Sequence, residues 1–189
     1  NEDAYQDYID ANPNSFSSPA TLAEVQAMIT AVNTAQTSIL AQIGNEGDNP
    51  DTVNSIVTAV QLASLSGITG VINANEDAYQ DYIDANPDLF SSPATLAEVQ
   101  AMITAVNTAQ TSILAQIGNE GDKPDTENSI VTAVQLASLS GITGVVNANE
   151  NAYQDYIDAN PDLFSSPATL AEVQAMITAV NTAQTSILA

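Results

Sequence analysis

Residues 95–118 have the sequence TLAEVQAMITAVNTAQTSILAQIG, which predicts a long amphipathic α-helix. Its large aliphatic side chains return at helical spacing on one face: Leu96, Val99, Ile103, Val106, Ile113 and Ile117. Thr95 and Glu98 have the spacing of a capping box, in which a hydroxyl and a carboxylate accept hydrogen bonds from otherwise unpaired N–H groups. Gly118 follows the last aliphatic residue, where a left-handed C-cap glycine is expected. We therefore predict a helix over residues 96–117.

Two further helices are predicted ahead of it. One covers residues 70–85 and ends at Asn86, because a residue before proline avoids helical geometry. The other covers residues 50–66 and ends at Gly67. Helical spacing gives their inner faces as Val71, Ile72, Tyr79, Tyr82 and Ile83 for the first, and Val53, Ile56, Val57, Val60 and Ala63 for the second.

The fold class follows from these three apolar faces. No stretch alternates with a period of two over the length of a strand, so the sequence predicts an all-α protein. Three antiparallel helices, each with one apolar face, bury those faces against one another. Leu89 and Phe90 are expected to close one end of this core.

The whole pattern repeats every 74 residues, with copies that begin at Asn1, Asn75 and Asn149. A period of this length is a small domain rather than one turn of a solenoid. The sequence therefore predicts a tandem array of three-helix bundles with a 74-residue repeat.

Module boundaries are predicted from composition. The stretch GNEGDNP over residues 44–50 has the glycine, proline and acidic content of a linker. A complete three-helix module is then expected over residues 45–118 and a nearly complete one over 119–189, with residues 1–44 as the last two helices of a partial module.

The charge balance excludes several functions. The chain has 23 acidic residues and one basic residue, Lys123, for a net charge of −22, which argues against nucleic acids and anionic membrane surfaces as partners. Without His or Cys there is no Ser-His or Cys-His nucleophile, no common zinc site and no disulfide. No apolar run reaches the roughly 20 residues of a membrane span. We expect neither enzymatic activity nor a bound cofactor.

Two groups of residues are candidates for binding. The linker acids Glu46, Asp48 and Asp51 form a calcium candidate, because hard cations favour clusters of oxygen ligands; the alternative is solvated charge near a helix N-terminus. The second group is predicted to contact a neighbouring module or chain: Leu62 and Leu65, which project away from the apolar face of their helix, and Ala97, Ala101 and Ala105 on the uncharged back of the long helix. A plain solvated surface rich in Ser and Thr is the alternative for the alanine face.

The pattern resembles helical tandem repeats of very large bacterial surface proteins and adhesins. The resemblance rests on Ala78-Tyr79-Gln80, on the run from Leu96 to Ile103 and on Ile68-Thr69-Gly70-Val71, and it covers the whole chain. It implies an extracellular array, with neighbouring repeats as partners, that holds a distal binding domain away from the cell. The alternatives are a subunit that assembles with its own copies into a filament, and a calcium-dependent adhesive module.

Overall fold

The computed structural model describes residues 2–45, 57–119 and 131–187, and this part of the chain is helical with no strand. The predicted all-α class is confirmed. The α-helices in these ranges are α1 (Glu2–Ala11), α2 (Leu22–Gly44), α3 (Ala59–Ser64), α4 (Glu76–Ala85), α5 (Leu96–Gly118), α6 (Ala133–Ala137), α7 (Glu150–Ala159) and α8 (Leu170–Ile187). Short 3₁₀ turns lie at Pro13–Ser15, Asn73–Asn75, Pro87–Leu89, Asn147–Asn149 and Pro161–Leu163.

Corresponding helices recur in each copy of the sequence. Helices α1, α4 and α7 have ten residues each, α2 and α5 have 23, and α3 and α6 have six and five. In the described residues, the first two copies therefore each combine one long helix with two shorter ones, and the third copy contains α7 and α8.

The long helix begins where the sequence predicts. Thr95 N donates to the Glu98 carboxylate at 2.7 Å, and Glu98 N donates to Thr95 Oγ1 at 3.3 Å, so the capping box is confirmed. The aliphatic stripe is buried from its second member onward: Val99, Ile103, Val106, Ile113 and Ile117. Leu96, at the first turn, is exposed. Gly118 is the last helical residue of α5 and is not among the glycines with a positive φ angle. The predicted left-handed C-cap at Gly118 is therefore wrong.

The helix predicted over residues 70–85 is shorter at its start. Gly70 has a φ of +73°, which no right-handed α-helix accommodates, and the chain passes through a 3₁₀ turn before α4 begins at Glu76. Its end at Ala85 agrees with the prediction, since Asn86 has left helical geometry at a φ of −133°. Tyr79 and Ile83 are buried as expected, and Ile72 is exposed.

The helix predicted over residues 50–66 is also shorter. Thr58 is extended, with a ψ of 156°, and forms a capping box with Gln61, so α3 begins at Ala59. It ends at Ser64, ahead of Gly67. The earlier residues of the prediction, with Val53 and Ile56, lie outside the described ranges.

The buried face of α3 is the reverse of the predicted one. Leu62 and Leu65 are 0% and 1% exposed, whereas Val60 is 69% exposed and Ala63 is exposed. Ala59 and Leu62 share one face of this short helix and are both buried. Leucine removes more apolar area from water than valine or alanine, so the face carrying Leu62 is favoured for burial. Leu89, predicted to close the core, is also exposed.

The chain packs into two compact units, Asn1–Thr104 and Ala105–Ala189, which do not coincide with the predicted modules at 1–44, 45–118 and 119–189. In the first unit, residues on both sides of the predicted boundary pack together: Ala94 N donates to Leu40 O at 2.9 Å. In the second unit, Ile113 and Ile117 of α5 share one core with Leu136, Tyr153 and Ile157. The C-terminal half of a long helix therefore packs with the elements that follow it in the chain.

Candidate functional site

A buried glutamine joins each of the helices α2 and α5 to the turn after the short helix that follows it. Gln36 Nε2 donates to Ser64 O at 2.6 Å, and its Oε1 accepts from Ser66 N at 2.9 Å. In the second unit, Gln110 makes the same two bonds with Ser138 O and Ser140 N, at 2.7 Å and 2.9 Å. Because each side-chain amide both donates to and accepts from the backbone of one turn, it fixes the position of that turn along the helix.

The C-terminal ends of α2 and α5 meet the segments that precede α5 and α8, respectively. Gly44 contacts the carbonyl oxygen of Ser91, and a Cβ added to Gly44 would lie 2.6 Å from Ala94 N. The Ser92–Pro93 peptide in this segment is cis. Two backbones approach closely here, and this contact, rather than a left-handed cap, explains the glycine.

A carboxylate holds the same segment from its other side. The Glu98 carboxylate accepts bonds from Thr95 N at 2.7 Å, from Ser91 Oγ at 2.7 Å and from Ser91 N at 3.1 Å. The Thr95 N–H first, and then the Ser91 hydroxyl and N–H, lower the pKa of Glu98 from 4.5 to about 2. Glu24 and Glu172 have corresponding partners, and their pKa values are likewise lowered to about 2.

Side chains of α4 organise the residues around α3. Glu76 Oε2 accepts from Ala59 N at 2.7 Å, so a carboxylate binds an N–H group that α3 cannot pair internally. Gln80 Oε1 accepts from Val57 N at 3.1 Å, and Tyr79 Oη accepts from Ile72 N at 3.0 Å. In the second unit Glu150, Gln154 and Tyr153 make the corresponding bonds. These polar side chains therefore hold the chain's own backbone in place.

The calcium candidates Glu46, Asp48 and Asp51 lie outside the described residues, and calcium binding there stays a prediction. Within residues 2–45, 57–119 and 131–187, no group of three or more His, Cys, Asp or Glu side chains is placed to hold a metal ion.

The predicted contact residues separate into two classes. Leu62 and Leu65 are buried within the first unit, and their predicted contact with a neighbouring module or chain stays a prediction. Their counterparts Leu136 and Leu139 belong to a hydrophobic core within the described residues of the second unit. The alanines predicted for contact are exposed: Ala97 and Ala101 in the first unit, and Ala105 in the second. What these alanines contact stays a prediction.

Shallow grooves run along the exposed sides of the long helices. One of about 540 Å³ is lined by Gln26, Ile29, Thr30, Asn33, Thr34, Thr37, Ser38 and Ala41. Another, also of about 540 Å³, is lined by Thr37, Ser38, Ala41, Gln42, Asn45, Ser92 and Pro93. Neither lining contains an ionisable side chain, which general acid–base catalysis requires.

Sequence reasoning missed both the glutamine and the glycine contacts. A signal for Gln110 exists, because it fills the seven-residue gap between Val106 and Ile113 in the apolar stripe of α5. A polar amide on a core-facing stripe needs a buried partner. Nothing in the local sequence indicates that Gly118 meets Ser165, since the contact depends on a segment more than 40 residues away.

No protein-family model, no curated protein and no solved structure matches this chain. Among the described helices, none combines the length and the hydropathy needed to cross a membrane.

Proposed function

We propose that the chain is a structural spacer: an array of repeated three-helix bundles outside the cell that holds a distal domain away from its surface. The observation that carries this proposal is the recurrence of one set of backbone-binding side chains. Gln36 and Gln110 accept from Ser66 N and Ser140 N at the same distance, 2.9 Å. Proteins built from stacked repeats that contact only their neighbours extend in one dimension, which is what a spacer requires.

The exposed surface supports a spacer over a self-associating subunit. The net charge of −22 makes like chains repel one another. Thr30 and Thr104 donate their hydroxyls to carbonyls four residues earlier, Gln26 O and Gln100 O, at 2.9 Å in both cases. These hydroxyls are thereby paired within their own helix. Burial of Leu62 and Leu65 also removes the apolar side chains that would have favoured association.

A self-assembling filament is the second candidate, and the exposed face with Ala97 and Ala101 favours it. Small uncharged side chains permit close approach of another helix, and nothing charged stands between them on this face.

Chains with two, three and four copies of the 74-residue repeat test the proposal, by small-angle X-ray scattering combined with light scattering. A spacer should lengthen by a constant increment per added copy and remain monomeric at every concentration. A maximum dimension that stops increasing would overturn the spacer. Mass that rises with concentration would favour the filament, and Ala101→Glu should then reverse the rise, whereas it should change nothing in a monomeric spacer.

A further inference from the structure

The first copy of the repeat exposes apolar side chains that later copies bury. Ile9 is 38% exposed, whereas its counterparts Ile83 and Ile157 are each 1% exposed. Tyr5, Val25 and Ile29 are half-buried, and the corresponding residues are all buried: Tyr79, Val99 and Ile103 in the second copy, Tyr153, Val173 and Ile177 in the third. We call the four side chains Tyr5, Ile9, Val25 and Ile29 the α1–α2 surface.

The second unit shows what covers this surface. Tyr153, Ile157, Val173 and Ile177 share one core with residues of the preceding repeat: Ile113, Ile117, Val131, Leu136, Leu139 and Ile142. The covering residues belong to the C-terminal half of a long helix, the short helix and the turn after it, apart from Val131, which lies just ahead of the short helix. Residues 31–72 carry the same elements with nearly the same sequence.

Polar side chains beside this surface also fit a segment of the preceding repeat, because their oxygens accept its backbone N–H groups. Glu150 Oε2 accepts from Ala133 N at 2.8 Å, and Gln154 Oε1 accepts from Val131 N at 3.1 Å. Gln174 Oε1 accepts from Thr143 N at 2.9 Å. The first copy has the same three side chains at Glu2, Gln6 and Gln26, and all three are exposed. A generic apolar ligand would leave these acceptors unused.

We propose that the α1–α2 surface is a docking surface for a further copy of the segment 31–72, supplied by a repeat ahead of it in chain order. This inference rests on the proposed spacer function and deepens it, since it names the partner of a repeat. The carboxylate and the amides receive backbone N–H groups of the incoming segment, and its leucines cover Tyr5, Ile9, Val25 and Ile29.

A single-thiol experiment tests the docking. The chain contains no cysteine, so Ile9→Cys introduces one reactive group whose alkylation rate reports its exposure. Residues 31–74 are joined directly ahead of Asn1, which reproduces the natural junction of Ala74 with Asn75. We expect this extension to slow alkylation of the thiol by about tenfold or more, because labelling then requires local opening. Ile83→Cys in the unextended chain gives the rate for a covered position.

The matched control is the same extension with the counterparts of Leu62 and Leu65 changed to serine, which should leave alkylation as fast as in the unextended chain. Equal rates with and without the intact extension would overturn the docking, and so would equal protection by the serine extension. Alkylation of the unextended chain could also slow at high protein concentration while light scattering shows a dimer. That result would assign the surface to a second molecule and overturn the preceding repeat as its occupant. Scattering reports on the spacer function separately: an extended chain that lengthens without protecting Cys at position 9 retains that function and overturns the docking.

Discussion

Gly118 lies directly against the carbonyl oxygen of Ser165, and the two backbones leave no room for a side chain between them. Beside this contact, Ala168 N donates to Leu114 O at 3.0 Å, so the end of α5 and the segment before α8 are hydrogen-bonded as well. Gly44 and Ser91 form the corresponding contact in the first unit. This end of the long helix therefore requires glycine for packing, although glycine is unfavourable within a helix.

Gly118→Ala should destabilise the second unit by about 1–3 kcal/mol, because a Cβ would lie 2.6 Å from Ala168 N and the backbone must shift. At an open helical position the same change would stabilise by about 1 kcal/mol. Denaturant unfolding measures the difference. Ala109→Gly, at an exposed position of α5, serves as control and should lose only the propensity difference of about 1 kcal/mol. A more stable Gly118→Ala protein would contradict the contact.

Leu62→Ala should cost about 2–5 kcal/mol, because it removes a fully buried side chain and leaves a cavity. Val60→Ala, in the same short helix, should change stability by less than about 0.5 kcal/mol, since Val60 is 69% exposed. Thermal unfolding followed by circular dichroism compares the two variants. A larger loss for Val60→Ala would restore the helix face predicted from the sequence.

The sequence predicts the long helix well because its signals are local. Capping by Thr95 and Glu98 and the stripe from Val99 to Ile117 need only neighbours within one helix. The prediction of the short helix fails because its limits depend on contacts that are not local. Thr58 and Gln61 form a second capping box inside a continuous helical pattern, and Ala59 N is bound by Glu76 from another helix. Competition between an internal cap and a longer helix depends on these distant partners.

The contacts between segments were less predictable than the helices. Gln110 was detectable in principle, as a polar residue within an apolar stripe, but its partners Ser138 and Ser140 follow about 30 residues later. The sequence predicts a C-cap at Gly118, because a glycine at the end of a helix commonly adopts left-handed geometry. Only the three-dimensional approach of Ser165 distinguishes that role from close packing.

Glu98→Gln should destabilise the protein at neutral pH, and the difference from the unsubstituted chain should shrink as pH falls. The pKa of Glu98 is lowered to about 2 in the folded state, from 4.5. The unfolded state therefore binds more protons in between, so the stabilisation is complete above pH 4.5 and is lost as pH falls towards 2. Melting temperatures of both proteins between pH 7 and pH 2 measure this convergence.

Ser91→Ala should raise the pKa of Glu98, because the Ser91 hydroxyl donates to its carboxylate at 2.7 Å. The loss of stability on acidification should still begin near pH 4.5, the pKa of the unfolded state, but it should be smaller and end at a higher pH than in the unsubstituted chain. Ser92→Ala changes the adjacent, exposed serine and should leave both the size of the loss and the pH at which it ends unchanged. Equal shifts for both serine variants would show that the hydroxyl contact is not the cause.

Gln110→Leu and Gln110→Glu should destabilise the second unit with different pH dependences. Leucine leaves Ser138 O and Ser140 N without their partner, at a cost of about 1–3 kcal/mol that does not vary with pH. Glutamate still accepts from Ser140 N, but its ionised form cannot donate to Ser138 O, and burial raises the pKa of the new carboxyl. The folded state then binds more protons than the unfolded state, so Gln110→Glu should regain stability as pH falls and the protonated oxygen donates again. Denaturant unfolding at pH 7 and pH 4 measures the recovery.

Thr111→Glu, which adds the same charge at the exposed neighbouring position, should show no such recovery. A recovery of equal size in this control would contradict the buried amide bridge.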